Sequence, residues 1–546
     1  MIPRADIPRS SFRMQQQHKT TINASQLIPV YLQEVLPGDS FNVSMTAFCR
    51  MATPLFPVMD NLDLESFFFF VPNRLVWVHW PNFMGEQNNP ADSISYSIPQ
   101  IVSPVGGFTQ FSIFDYFGLP CSGQTAGGNT ISVSALPFRA YNLICQEWFR
   151  DENLENALQT GSAGALVAGA KWMCQSDDGP DGAASYALFT TAKRHDYFTS
   201  CLPWTQKGNT AVTLPLGTSA IVKTSAADTF TGAQPPLHLL TVAGGSPTSG
   251  RALGFGAPSM FNSTTAATIQ GAETVYPSNL FADLSTATAA TINQIRLAFQ
   301  TQRLLERDAR GGTRYTEIIR SHFGVISPDA RLMRPEYLGG GKTPITISPV
   351  PQTTATGLTG GSSPLGTLAA AGTALARNHG FRQSFTEHGH IIGLVAVRRD
   401  PVYQQGIRRL WKRLTRYDFY MPVFAMLGEQ SVFNYEIYSD GSANDALTFG
   451  YQERWAEYRY HPSHTSGYFR STNATPLDSW HLAQKFASLP ALNSTFIQDE
   501  TNVVVQRVCA AGAATASQQF LCDFFFDQKV ARPMPMYSVP GMIDHF

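Results

Sequence analysis

Residues 27–51 lie on both sides of a turn, Pro37-Gly38-Asp39, and beyond it they alternate with a period of two. Phe41, Val43, Met45 and Ala47 fall on one side and polar neighbours on the other. A pleated strand satisfies that pattern and a helix does not, because successive strand side chains point to opposite faces. The segment therefore reads as two strands joined by a tight reversal. Residues 62–71 (LDLESFFFFV) follow as another strand, stopped by Pro72-Asn73. Residues 390–397 read as a buried strand from their aliphatic run, and 503–509 and 519–526 as the last two strands. Helical periodicity appears in 137–153, with Phe138, Tyr141, Cys145, Trp148 and Phe149 on one face, and in 292–310, which runs into Gly311-Gly312. Many short strands, long connections and few helices predict a mainly β fold. The expected form is an antiparallel β-sandwich or jelly roll with long insertions, not an alternating β/α fold.

At 546 residues the chain exceeds what one core usually needs, so two domains or one domain with large insertions is expected. Between 205 and 291 the charged residues thin to Lys207, Lys223, Asp228, Arg251, Glu273 and Asp283, and no dense apolar pattern replaces them. Such a segment lacks the material for its own core, which makes 205–291 a surface insertion. It divides a β domain into parts 1–204 and 292–546. Residues 1–20 carry Arg4, Arg9, Arg13, His18 and Lys19 against Asp6, and Pro3 and Pro8 forbid a helix, so an extended basic arm is expected. Residues 327–344 and the Gly/Ser/Thr-rich stretch to Gly372 read as turns and loops. The tail 531–546 is broken by Pro533, Pro535 and Pro540 yet carries Met534, Met536, Tyr537 and Phe546, so it reads as an extended arm docked on a neighbour.

Charged residues make up 14% of the chain, against roughly 25% in an ordinary soluble domain, and the net charge is −1. That excludes a polycation and leaves nucleic-acid contact to local patches. The seven cysteines include no C-x-x-C pair, which argues against zinc and against a disulfide framework. No apolar leader follows Met1, and the longest greasy run, 67–71, is too short for a bilayer, so a soluble protein made in a cytoplasm is expected. Gly339-Gly340-Gly341-Lys342-Thr343 imitates the end of a phosphate-binding loop, but Glu336 stands where the first glycine belongs. Asp177-Asp178-Gly179-Pro180-Asp181-Gly182 lacks calcium-loop spacing and reads as a solvated turn. The pairs His388/His390 and His461/His464 have no third ligand. No catalytic, cofactor or metal site is predicted.

Two stretches carry more. Residues 449–486 are dense in aromatics interleaved with charges. Trp455, Tyr458, Tyr460, Tyr468 and Phe469, with Met534, Met536, Tyr537 and Phe546 of the tail, are candidate subunit-interface residues, because such side chains bury large area and keep a polar handle. In 403–416, Ile407, Leu410, Trp411 and Leu414 recur at helical spacing, with Arg408, Arg409, Lys412, Arg413 and Arg416 opposite and Arg398 and Arg399 upstream. That basic face suits phosphate contacts, and the competing reading is a solvated helix or ion pairs.

The strings ATPLFPVMDNLDLESFFFFVPNRLVW, TRYDFYMP, FGYQERWAEYRYHPSHTSGYFRSTNATPLDSWHLAQKF and ARPMPMYSVPGMIDHF resemble the major capsid protein of gokushoviruses, small icosahedral single-stranded DNA phages of the microvirus family. The resemblance implies an eight-stranded viral jelly roll in on the order of sixty copies per closed shell. It also implies a circular single-stranded DNA genome, a small basic internal DNA-binding protein, a minor pilot protein, a bacterial surface receptor, and a host-facing protrusion at the three-fold axes. The insertion 205–291 is the candidate protrusion, with Phe230, Leu237, Leu239, Leu240, Phe255, Met260 and Phe261 as its packing or contact residues. From composition alone the alternative is a β-rich carbohydrate-binding protein or glycoside-active enzyme, which needs a carboxylate pair in a cleft.

Overall fold

The computed structural model describes residues 8–157, 176–208, 292–326, 333–353, 366–509 and 518–537, with short strands and single positions between 212 and 283 and position 328. Nine strands form the frame: β1 (Ser10–Ile22), β2 (Gln26–Val35), β3 (Ser40–Met51), β4 (Leu62–Pro72), β5 (Glu336–Pro344), β6 (Thr346–Pro351), β7 (Leu368–Ser384), β8 (Gly389–Arg399) and β9 (Phe520–Arg532). One sheet has the order β1-β9-β3-β7-β6, and the other β5-β4-β8-β2 with the short strand Phe189–Thr190 at its edge. Every neighbouring pair is antiparallel. From β1 to β4, and again from β7 to β9, each successive strand joins the opposite sheet. With β6 as an added edge strand, this is the jelly-roll wiring expected of the sequence.

Alternation supplies the core between the sheets. Val43 and Met45 of β3, Phe68 and Phe70 of β4, Ile391 and Val395 of β8, and Phe524 and Phe526 of β9 are buried together. The other face of the second sheet is buried too. Phe69, Val71, Ile392 and Leu394 pack under Trp77 and under α1 (Leu136–Ile144), through Phe138 and Tyr141. A strand covered on both faces cannot alternate, which explains the unbroken Phe67–Val71 run. Two insertions hang on this frame, 73–335 between β4 and β5 and 400–519 between β8 and β9.

Several expectations are corrected. Residues from Ser10 onward form a sheet strand and not a free basic arm. β1 pairs with β9 over its whole length, and Arg13 binds Asp527 at 2.8 Å. The glycine-rich stretch around 339–341 is strand β5 and not a loop. There a Cβ on Gly340 would lie 2.0 Å from the Ser66 carbonyl oxygen, and one on Gly341 would lie 2.5 Å from the His379 ring. The glycines are thus the condition for β5 to close on β4 and β7. The Ala/Gly-rich segment before Ser384, read as loop up to Gly372, is the 17-residue strand β7, with Ala370, Ala374 and Ala376 inward. Residues 503–509 are not a strand. Thr501–Gln506 is helical, and Val504, Val505 and Val508 reach the core from one helical face. The Asp177–Gly182 turn is not simply solvated. Asp181 and the Asp177 carbonyl hold the fully buried Arg139 at 2.6–2.8 Å, fastening α1 to this turn within the same insertion.

By internal contacts the chain divides into two compact units, residues 1–205 with 309–546, and residues 206–308. In the second unit Leu237–Thr241, Arg251–Gly256, Met260–Ser263 and Val275–Pro277 make a four-stranded antiparallel sheet in which Phe255 stands opposite Phe261. Helix α2 (Ile292–Arg310) begins in this unit and has the bounds its periodicity predicts. Among the described residues no helix is long and apolar enough to cross a membrane.

Candidate functional site

The insertion between β8 and β9 folds on a small core that it shares with the first insertion: Tyr403, Val432, Ile437, Phe449 and Phe496 pack with Tyr197 and Phe198. A hairpin, Glu429–Phe433 against Thr448–Glu453, and the helical turn Asn434–Ile437 present its upper edge. That turn places Glu436 over the core, where the carboxylate accepts from the Tyr197 hydroxyl at 2.9 Å and pairs with Arg409 at 3.0 Å. Glu457 accepts from Gln430 at 2.6 Å and pairs with Arg413 at 3.4 Å. Burial works against the Arg409 charge, but Glu436 and Glu457 outweigh it and hold the guanidinium above its ordinary pKa. The cations also lie over rings: Arg413 is 4.4 Å from the Tyr458 centroid, Arg409 5.2 Å from Phe433 and Lys412 5.6 Å from Tyr435.

This arrangement corrects the helix expected over 403–416. Only Arg409–Lys412 makes a short helical turn, and the backbone is extended at both Arg408 and Arg413. Asp418 then accepts from the N–H groups of Leu414 and Thr415 at 3.0 and 2.7 Å, a local bond that competes with helix continuation. The faces are consequently inverted. Arg409 and Arg413 point inward to carboxylates, while Trp411 (75% exposed) and Leu414 (92%) point outward. Exposure continues through Tyr417, Phe419, Tyr420 and Val423 to Met426 (97%). The apolar side chains of 410–427 were not a predicted site. Their sequence signal is a concentration of aromatic and aliphatic residues with neither strand nor helix period.

The remaining candidates separate by placement. Arg398 pairs with Glu65 at 3.2 Å and donates to the Ala192 carbonyl at 2.6 Å, and Arg399 is buried. Arg408 donates to His461 at 2.9 Å, and Arg408, Lys412 and Arg416 remain exposed. Trp455 is enclosed in its own subunit, its indole N–H donating to the Phe424 carbonyl at 3.1 Å. Tyr458, Tyr460 and Tyr468 are exposed, with the Tyr458 ring 6.2 Å from that of Tyr420 in the 410–427 run, Phe469 is half-buried against His481, and Met536 and Tyr537 are exposed. Met534 is half-buried, and Phe546 lies outside the described residues, as does Phe230. Leu237, Leu239, Leu240, Phe255, Met260 and Phe261 lie on strands of the second unit. Among the described residues no group of three or more His, Cys, Asp or Glu is placed to hold a metal.

Removing one member of a buried ion pair strands the other charge, which costs about 3–5 kcal/mol. Arg409→Met is therefore expected to lower subunit stability by about 3 kcal/mol. Adding Glu436→Gln should restore part of that loss, in a double-mutant cycle read by urea unfolding.

Comparison with known proteins agrees with this architecture. Residues 1–542 match the family described as capsid protein (F protein). Similar proteins are capsid protein VP1 of Bdellovibrio phage phiMH2K, 45% identical over 100% of this chain and 97% of the relative, and capsid protein VP1 of Chlamydia phage 1, 42% identical over 99% and 97%. Capsid protein VP1 of Spiroplasma virus 4 is 38% identical over 98% and 96%. The chain belongs to the phage capsid protein (F protein) family and is a structural protein of a microvirus particle.

Proposed function

We propose that the exposed surface 410–427, with Tyr458, Tyr460 and Tyr468, is where copies of this chain meet in a closed shell of about sixty subunits. The observation that carries this reading is the inversion described above. Large apolar side chains are held outward by a layer of buried ion pairs beneath them, on loops with no other means of covering them. Monomeric proteins rarely expose contiguous apolar patches of this extent, and aromatic residues dominate the centres of protein contacts. Leu414→Glu with Met426→Glu should leave a folded subunit, by circular dichroism, that no longer forms shells in electron microscopy. Shells of normal yield and diameter would refute the assignment.

The capsid reading extends to a circular single-stranded DNA genome, a small basic internal DNA-binding protein and a minor pilot protein as companions in the particle. Phosphate contact falls to Arg408, Lys412 and Arg416, since Arg398, Arg399, Arg409 and Arg413 are enclosed or paired within the chain. Changing these three to glutamine keeps the outward apolar side chains of 410–427, so it is expected to leave shells intact and lower their DNA content. Unchanged content means that the genome is held elsewhere.

We further propose that 205–291 forms a protrusion at the three-fold axes that contacts a bacterial surface receptor. Its low charge and strand-rich second unit support contact with copies of itself. Replacing 228–270 by a short Gly/Ser linker should preserve shells and abolish host adsorption; normal adsorption rejects the role.

A further inference from the structure

Strands β3 and β9 lie side by side in the first sheet, and their register sets Cys49 opposite Cys522. Both side chains point inward, in line with Ala47 and Met51 on β3 and with Phe520 and Phe524 on β9. The two sulfurs are 3.1 Å apart, in contact and unbonded. Opposed residues of antiparallel strands have Cα atoms about 4.5–5.5 Å apart, inside the range that a disulfide spans. Across β3 on its other side, Cys49 stands opposite Ala374, whose small side chain leaves the thiol room to turn.

We propose that Cys49 and Cys522 are a site of covalent modification, a thiol pair that closes to a cross-strand disulfide when it meets a small disulfide oxidant such as oxidised glutathione. The thiolate of one cysteine attacks a sulfur of the oxidant and expels one glutathione. The other cysteine then loses its proton, attacks the protein-side sulfur of the mixed disulfide and expels the second glutathione. Two S–H bonds of the protein are exchanged for one S–S bond, and the oxidant leaves as two thiols.

The surroundings govern when this happens. The hydrogen bond with Cys49, together with burial, keeps the Cys522 thiol well above its ordinary pKa, so little thiolate exists while the sheet is closed. Reaction waits on local opening of the strand pair, and in a reducing cytoplasm both thiols persist. Outside the cell the same opening leads to the bond, which ties the last strand to the third across 473 positions of sequence. The value of such a tie to a released particle rests on the capsid reading; the thiol chemistry does not.

The test uses purified full-length protein incubated with oxidised glutathione, denatured in an alkylating reagent and digested without reductant. The expected product is a crosslinked peptide joining the Cys49 segment to the Cys522 segment, absent before oxidation and lost on adding dithiothreitol. In Cys522→Ala that crosslink disappears and Cys49 is recovered alkylated. Cys49→Ala gives the reciprocal readout, and peptide mapping of the unaltered protein needs neither variant to fold. Recovery of both cysteines as alkylated thiols after oxidation overturns the proposal, as does a bond from either of them to Cys509 or a stable adduct with glutathione. None of these outcomes bears on shell formation seen by microscopy, so the two readings fail separately.

Discussion

The pairing of the first described strand with the last holds this molecule in one piece. β1 and β9 run antiparallel through thirteen consecutive opposed positions, and β9 pairs equally closely with β3. Each of these ladders joins residues about five hundred positions apart, and the entropy of closing so long a loop grows only slowly with its length. Insertions between β4 and β5 and between β8 and β9 can therefore be large without preventing the sandwich from closing. The order of the strands also keeps each insertion anchored at two neighbouring points: β4 lies beside β5, and β9 is reached from β8 across the core.

Charge is handled differently inside the frame and on the insertions. At the edge of the second sheet Arg194 gathers Asp63, Glu65 and Asp400 at 2.7–2.8 Å, which closes a polar corner within one subunit. In the insertion after β8 the ion pairs of Arg409 and Arg413 have another effect, because they draw the cations inward and leave the intervening aromatic and aliphatic side chains outside. Buried ion pairs contribute little net stability compared with apolar packing, and their best-supported use is to fix one arrangement among several. Here the arrangement fixed is an apolar surface facing outward, as the proposed contact between copies requires.

Sequence alone gave a partial view of the candidate site. Tyr458, Tyr460 and Tyr468 stood out as aromatic residues interleaved with charge, and all three are exposed. Trp455 belonged to the same pattern but is enclosed in its own subunit, and composition has no means of telling an interface core from a domain core. The Arg408–Arg416 face was misjudged for a physical reason. Helical spacing places Trp411 and Leu414 inward only if a helix forms, and the carboxylates that capture Arg409 and Arg413 come from Glu436 and Glu457, remote in sequence.

The sequence by itself determined the fold class, the turn that joins β2 to β3, strands β4 and β8, and helix α2, since hydrophobic period and turn chemistry are local properties; the helix expected over 137–153 is α-helical only at Leu136–Ile144 and stops after a wider turn, Cys145–Phe149. It also determined the family, through long strings that chance does not repeat. Only the tertiary structure decided that Ser10–Ile22 is a strand, because an edge strand this polar has its partner, and not its own pattern, as the source of order. The same holds for β5 and β7, whose glycines and alanines look like loop composition until the backbone of Ser66 and the ring of His379 are seen to occupy the space a side chain would need. Close approach is a relation between distant segments, so no local reading of residues contains it.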